Sequence, residues 1–192
     1  MPAFATLGPA GSNHDLNARR YVAFHGLGAR VDCVGSFDEA FARMQDGRAG
    51  FVVQACLHPQ VGDSIGRHRD RFPLVDCFLG PTAPMAVLVR RDAAPRGRIG
   101  FMPATRVYFD PSPWTEQVSF ASGSDVATAL LEGRIDAGFT DRGWADRRPD
   151  VLRVEMDVGP VDVAWLVYGS RRVCGDGIVA DPQAPVVRQF RP

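Results

Sequence analysis

Apolar and polar positions change period repeatedly along this chain. The apolar run Phe4 to Leu7 stops at Gly8-Pro9-Ala10-Gly11, and the spacing beyond it predicts a helix over Asn13 to Phe24. A strand over Ala29 to Val34 follows. Next comes a helix over Phe37 to Asp46, where Phe37, Ala40, Phe41 and Met44 recur at helical spacing, and then a strand over Phe51 to Val53. The stretch "QACLHPQVGDSIGRHRDRF" reads as a loop, with strands beyond it near Leu74 to Phe78 and Met85 to Val89. A second series predicts a strand at Arg98 to Phe101, a short helix after Pro111, a strand at Gln117 to Phe120 and a helix over Asp125 to Glu132. It continues with a strand at Asp136 to Thr140 and a short helix near Arg142. Strands at Leu152 to Glu155 and Val163 to Tyr168 precede a Pro/Gly-rich tail.

The two series echo each other. "SFDEAFARMQDGRAGFVV", from Ser36, is answered by "SGSDVATALLEGRIDAGFT", from Ser122. Each begins with a serine suited to cap a helix, and Ser36 with Glu39 forms a capping box. Each helix ends at an acidic-Gly-Arg turn before an apolar strand. Alternating strands and helices indicate parallel sheets, whose ligands gather at strand C-terminal ends. Two similar units predict an α/β clamshell of two lobes. The first comprises residues 1–84 plus 160–192 and the second residues 85–159, with Gly-Pro crossings around Gly80 to Pro84 and Val158 to Val161.

In such a clamshell the turn Gly8 to Asn13 and the turn Ser122 to Ser124 face one cleft from opposite lobes. A helix start offers unpartnered N–H groups and partial positive charge, which suit a carboxylate or phosphate. The alternative reading of each turn is a plain strand-turn-helix connection with an ordinary cap. The charge pattern narrows the ligand. Formal net charge is zero, which gives no electrostatic reason to expect nucleic acid. Every basic residue is Arg, so lysine Schiff-base chemistry is excluded and the cations suit planar carboxylates. The histidines and the four cysteines lack metal-ligand spacing, so neither metal nor cofactor is expected. The cysteines read as reduced thiols. No export-signal pattern and no apolar run of spanning length is present, so the expectation is a cytoplasmic protein without a membrane partner.

"TLGPAGSNHDLNA" and "GSFDEAFARMQDGRAGFVV" resemble the opening of the prephenate dehydratases. "PTAPMAVLVRRD", "DPSPW" and "WLVYG" extend the similarity, in order, to the non-aromatising prephenate decarboxylases of the bacilysin pathway type, over roughly Ala3 to Gly169. The resemblance implies the type 2 periplasmic-binding-protein fold, and a lyase acting on prephenate or a related cyclic or keto acid. The departures favour a carbon-carbon lyase over a dehydratase. Gln54 to Leu57 stand where dehydratases carry Ile-Glu-Asn-Ser, and Ala164-Trp165 where they carry a catalytic Thr-Arg. Asp110 stands where the decarboxylases carry histidine, and it would repel a dianion unless protonated or paired with an Arg.

The candidate catalytic residues are therefore His14, His58 and Asp110. The candidate ligand contacts are Gly11, Ser12, Asn13, Gln54, Ser112, Trp114, Ser122, Gly123, Ser124 and Trp165. Structural alternatives stand beside them: the serines as caps, the histidines as surface residues, Trp114 and Trp165 as core. Cys56 and His58, two apart in an extended loop, need not meet. Arg67, Arg69 and Arg71 read as a solvated face, with one able to close over an acid. The expected partner is a small carboxylate, and a homodimer is left open. The alternative function is a non-catalytic carboxylate binder that kept the fold and lost the chemistry.

Overall fold

The computed structural model describes residues 3–188 and contains two five-stranded mixed sheets with helices packed on their faces. The first lobe begins β1 (Ala3–Leu7), α1 (Asn13–Phe24), β2 (Arg30–Val34), α2 (Phe37–Gln45), β3 (Phe51–Ala55). It continues with α3 (Val61–His68) and β4 (Leu74–Pro81). The chain then crosses to β5 (Met85–Arg90), β6 (Arg98–Phe101), a 3-10 helix (Pro103–Tyr108), β7 (Glu116–Ser119), α4 (Gly123–Leu131), β8 (Ala137–Asp141), α5 (Gly143–Arg147) and β9 (Leu152–Gly159). It returns as β10 (Asp162–Tyr168), and a short α6 (Pro185–Arg188) lies in the tail.

The sheet orders are β2-β1-β3-β10-β4 and β7-β6-β8-β5-β9. In each sheet, four strands run one way and a single strand runs against them, the one that has just crossed between lobes, which lies inside: β10 between β3 and β4, β5 between β8 and β9. Because these strands are covered on both faces, they read as continuous apolar runs, as in Met85–Leu88, all buried. On the first sheet, α1 covers Phe4, Val53, Trp165 and Val167, and α2 covers Ala5, Val52 and Tyr168. On the second, α4 packs Val126 and Leu130 over Ala86 and Leu88, while Phe109 and Phe139 stack on the other face with ring centres 5.2 Å apart.

Two local expectations need correction. The stretch after β3 is not all loop, because α3 forms within it. Its Gly62 and Gly66 weaken the sequence signal, and its packing comes from Ser64 and from the His68 ring stacked on Phe41 at 3.8 Å. The short helix of the second lobe lies before Pro111, not after it. Pro103 opens it, and the Thr105 N–H and hydroxyl both donate to the Met102 carbonyl. After Pro111 there is only a turn, in which Trp114 N–H donates to Pro111 O at 3.2 Å.

The two crossings are tied to each other and to α1. Thr82 N–H donates to Val161 O at 2.9 Å, and Val161 N–H donates to the Thr82 hydroxyl at 3.0 Å. Asn17 and Arg20 of α1 both donate to Pro81 O, at 3.2 and 2.8 Å. At Gly80 a Cβ would lie 2.5 Å from Asn17 Oδ1, so the close approach of α1 to this strand requires glycine.

Candidate functional site

A cavity of about 390 Å³ lies between the lobes, where the C-terminal ends of β1, β3 and β8 converge. From the first lobe it is lined by the turn Gly8–Asn13 and by His14, Ala55, His58 and Trp165. From the second it is lined by Met102, Thr105, Tyr108, Ser122–Ser124, Phe139–Asp141, Trp144 and Arg147. Nine of the thirteen candidate residues from the sequence thus share one space: Gly11, Ser12, Asn13, His14, His58, Ser122, Gly123, Ser124 and Trp165.

What those residues offer differs from expectation at α1. Ser12 Oγ caps the helix by accepting from Asp15 N–H at 3.3 Å and itself donates to Leu7 O at 3.1 Å. The Gly11 N–H donates to the carboxylate of buried Asp15 at 2.8 Å, so the turn already holds an anion from its own chain. Asn13 uses its side chain structurally. Its Oδ1 accepts from Ala83 N–H at 2.7 Å and its Nδ2 reaches the Met85 sulfur at 3.6 Å. What α1 has left is backbone: among the described residues, the N–H groups of Asn13 and His14 have no protein acceptor.

The α4 start is arranged alike. Ser122 Oγ accepts from Asp125 N–H at 3.1 Å and donates to the Asp125 carboxylate at 2.8 Å. Thr140 Oγ1 of β8 donates to Gly123 O at 2.7 Å and thereby fixes the helix start against the sheet. The Gly123 and Ser124 N–H groups and the Ser124 hydroxyl are without acceptor or partner among the described residues. Both helix starts carry their caps on one side and spare amide protons on the other.

Between them sits an aromatic floor. The His14 ring lies 5.3 Å from Trp165, 5.8 Å from His58 and 5.4 Å from Phe37, all edge-on, and Phe37 also lies 4.8 Å from His58. His14 Nε2 accepts from Ala55 N–H at 3.3 Å, which assigns its proton to Nδ1. His58 Nδ1 accepts from Gln60 N–H at 3.2 Å, which assigns its proton to Nε2. Burial, and then the neighbouring His58, push the His14 pKa down to about 3, and burial lowers that of His58. Both imidazoles are therefore neutral at pH 7 in the free protein.

Four candidates lie outside the cavity lining. Gln54 is fully buried on β3, where its Oε1 accepts from the Tyr168 hydroxyl at 2.9 Å. Asp110 and Ser112 pair with each other on the surface: the Asp110 carboxylate accepts from the Ser112 N–H at 2.9 Å and from its hydroxyl at 2.8 Å. Those bonds, backbone first, lower the Asp110 pKa. Trp114 packs against Phe109 and carries the Arg96 guanidinium over its ring at 4.7 Å. Asp110 therefore does not confront a ligand in the cleft, and the repulsion it raised as an objection falls away. Cys56 packs in the α1-side core while the His58 Nδ1 is taken by Gln60, so the two do not form a nucleophile-base pair. Arg67, Arg69 and Arg71 are not among the lining residues.

Sequence reasoning missed Met102, Thr105 and Tyr108, together with Trp144 and Arg147. A signal for the first three existed: the 3-10 helix follows β6 as α1 follows β1, so it occupies the corresponding place at the cleft.

Among the described residues, no group of three or more His, Cys, Asp or Glu is placed to hold a metal ion, and no helix is long and apolar enough to cross a membrane. No family model and no curated protein matches the sequence. Solved structures do match. Prephenate dehydratase from Arthrobacter aurescens, in complex with L-Phe, superposes with a TM-score of 0.66 at 16% identity, over 89% of this chain. This chain spans 60% of that dehydratase chain. An ABC transporter protein from Parabacteroides distasonis gives a TM-score of 0.56 at 14% identity, over 88% of this chain and 65% of its own. A periplasmic His/Glu/Gln/Arg/opine family-binding protein from Silicibacter pomeroyi, in complex with lysine, gives 0.51 at 14% identity, over 89% of this chain and 83% of its own. At such identities the likeness is one of fold: the chain has the two-lobed fold of the periplasmic binding proteins, shared by prephenate dehydratase and by ligand-binding proteins alike.

Proposed function

We propose that the cleft binds a small ring-bearing carboxylic acid of the prephenate kind and releases carbon dioxide from it, a cytoplasmic lyase reaction that draws on no resident cofactor. One observation carries the reading. Two helix starts with spare N–H groups, on α1 and α4, open into one cavity whose floor is aromatic and whose two imidazoles are neutral.

The chemistry asks for little. In a ring acid flanked by double bonds, the carbon-carbon bond to the carboxylate breaks, its electron pair enters the ring system, and one proton must arrive at a ring carbon. The helix starts orient the ligand's acid groups, and the apolar floor destabilises the departing carboxylate relative to neutral carbon dioxide. His58 is the better proton carrier of the pair. The pKa of His14 is pressed down by burial and then by His58, whereas that of His58 is lowered by burial alone, and a bound anion favours its charged form. Replacing His58 by glutamine is expected to lower turnover of prephenate roughly a hundredfold or more while the dissociation constant stays within about threefold. Stopped-flow loss of prephenate absorbance and equilibrium titration measure the two. An equal fall in affinity would assign His58 to binding instead.

A second reading is supported by the same neutrality: in the free protein neither imidazole of the cavity carries a proton ready to give as a cationic acid, as suits a binding module without chemistry. Tight binding of prephenate with no release of carbon dioxide would decide for it.

A further inference from the structure

We infer that Arg147 reads a second acid group of the ligand, so that the cleft selects dicarboxylates over monocarboxylates of similar size; the inference rests on the carboxylate reading of the cleft. Among the described residues that line the cavity, Arg147 is the one arginine, and it enters from the lobe opposite α1. Its guanidinium carbon lies 4.3 Å from the centre of the Trp144 ring, so stacking sets the plane of the fork. Gly143 makes room for it: a Cβ there would lie 3.1 Å from Arg147 Nη1.

The fork is placed but hardly used. One nitrogen reaches Asp141 Oδ2 at 3.4 Å, long for a charge-assisted bond, while Asp141 Oδ1 is engaged by the Gly143 N–H at 2.8 Å. A guanidinium has five N–H donors, and the Arg147 side chain is 54% exposed, so most of them are open to a ligand. The charge balance points the same way. With both imidazoles neutral, Asp141 and Arg147 are the charged side chains of the lining and they cancel. One carboxylate is answered by the helix starts. A second, at the α5 end, exchanges the long Asp141 contact for a two-pronged one with Arg147.

The test uses the full chain and three probes, prephenate with two carboxylates, phenylpyruvate with one, and L-phenylalanine with one carboxylate and an ammonium, each titrated by tryptophan fluorescence. The wild type is expected to bind prephenate about tenfold or more tighter than phenylpyruvate. Arg147→Gln should weaken prephenate by about tenfold to a hundredfold and phenylpyruvate by no more than about threefold, the loss typical of a hydrogen bond to a charged group. Gly143→Ala, which crowds the fork without removing it, should move the same ratio in the same direction by less. Equal affinity for the two acids, binding of neither, or a parallel loss of both in Arg147→Gln would overturn the inference. So would preference for L-phenylalanine abolished by Asp141→Asn, since the pair would then be reading an ammonium. Carbon dioxide release, measured separately in the same samples, decides the proposed reaction: selectivity without release leaves this inference standing and removes the chemistry.

Discussion

Trp165→Ala is expected to cost about 3–5 kcal/mol of unfolding free energy, the range for truncating a large buried aromatic, and to empty the floor of the cleft. Three supports converge on this side chain. It is 1% exposed, it sits on β10 between β3 and β4, opposite Ala55 and Phe78, and its Nε1–H donates to Gly80 O at 2.9 Å, just before the first crossing. It also carries the edge of His14. Trp165→Phe separates the contributions, because it keeps an aromatic ring and loses the bond to Gly80. That variant should recover most of the loss and retain a deficit of about 1 kcal/mol from the bond, beyond what the smaller ring leaves unfilled. Urea unfolding followed by far-ultraviolet circular dichroism measures both. A loss below about 1 kcal/mol for the alanine variant would mean that the indole is not the packed wall described above.

Acid should destabilise the fold well before its carboxylates titrate. His14 ionises at about 3 in the folded protein and near 6.5 unfolded, so between those values the unfolded chain takes up a proton that the native state refuses. Its contribution is therefore fully present above about pH 6.5 and is lost as pH falls, by about 1.4 kcal/mol per pH unit, until the folded value is reached. His58 and His68 are shifted the same way and add to the slope. Measured between pH 6.5 and 5, above the carboxylate range, the slope should be visibly shallower in His14→Gln than in the wild type. An identical slope would show that His14 is freely protonated in the native state.

The elements that frame the cleft were legible because their caps are written locally. Ser12, Ser36 and Ser122 each accept from the N–H three residues on, as their spacing implies. The equivalence suggested by the repeat holds in the strand order. By strand order α4 corresponds to α2, lying between β7 and β8 as α2 lies between β2 and β3, yet the helix starts that share the cavity are those of α1 and α4. The use of Asn13 as a tie to Ala83, and of Asp15 as an internal anion for Gly11, depends on partners up to 70 residues away or on side-chain direction, and neither leaves a periodic trace. Arg147 was hidden for a related reason. Its helix is five residues long, too short for spacing to say which side chain turns inward. Asp110, Ser112 and Trp114 were drawn into the site by motif resemblance alone, and the 3-10 helix before them takes the place they were given.

In the proposed complex a ring-bearing carboxylate is held between the starts of α1 and α4. Titrating 15N-labelled full-length protein with prephenate, and following every backbone amide by NMR, tests it most directly. The largest shifts are expected at the N–H groups of Asn13, His14, Gly123 and Ser124, with the Trp165 indole N–H moving alongside them. Shifts confined to surface arginines such as Arg67, Arg69 and Arg71, with those four amides unmoved at saturation, would contradict it.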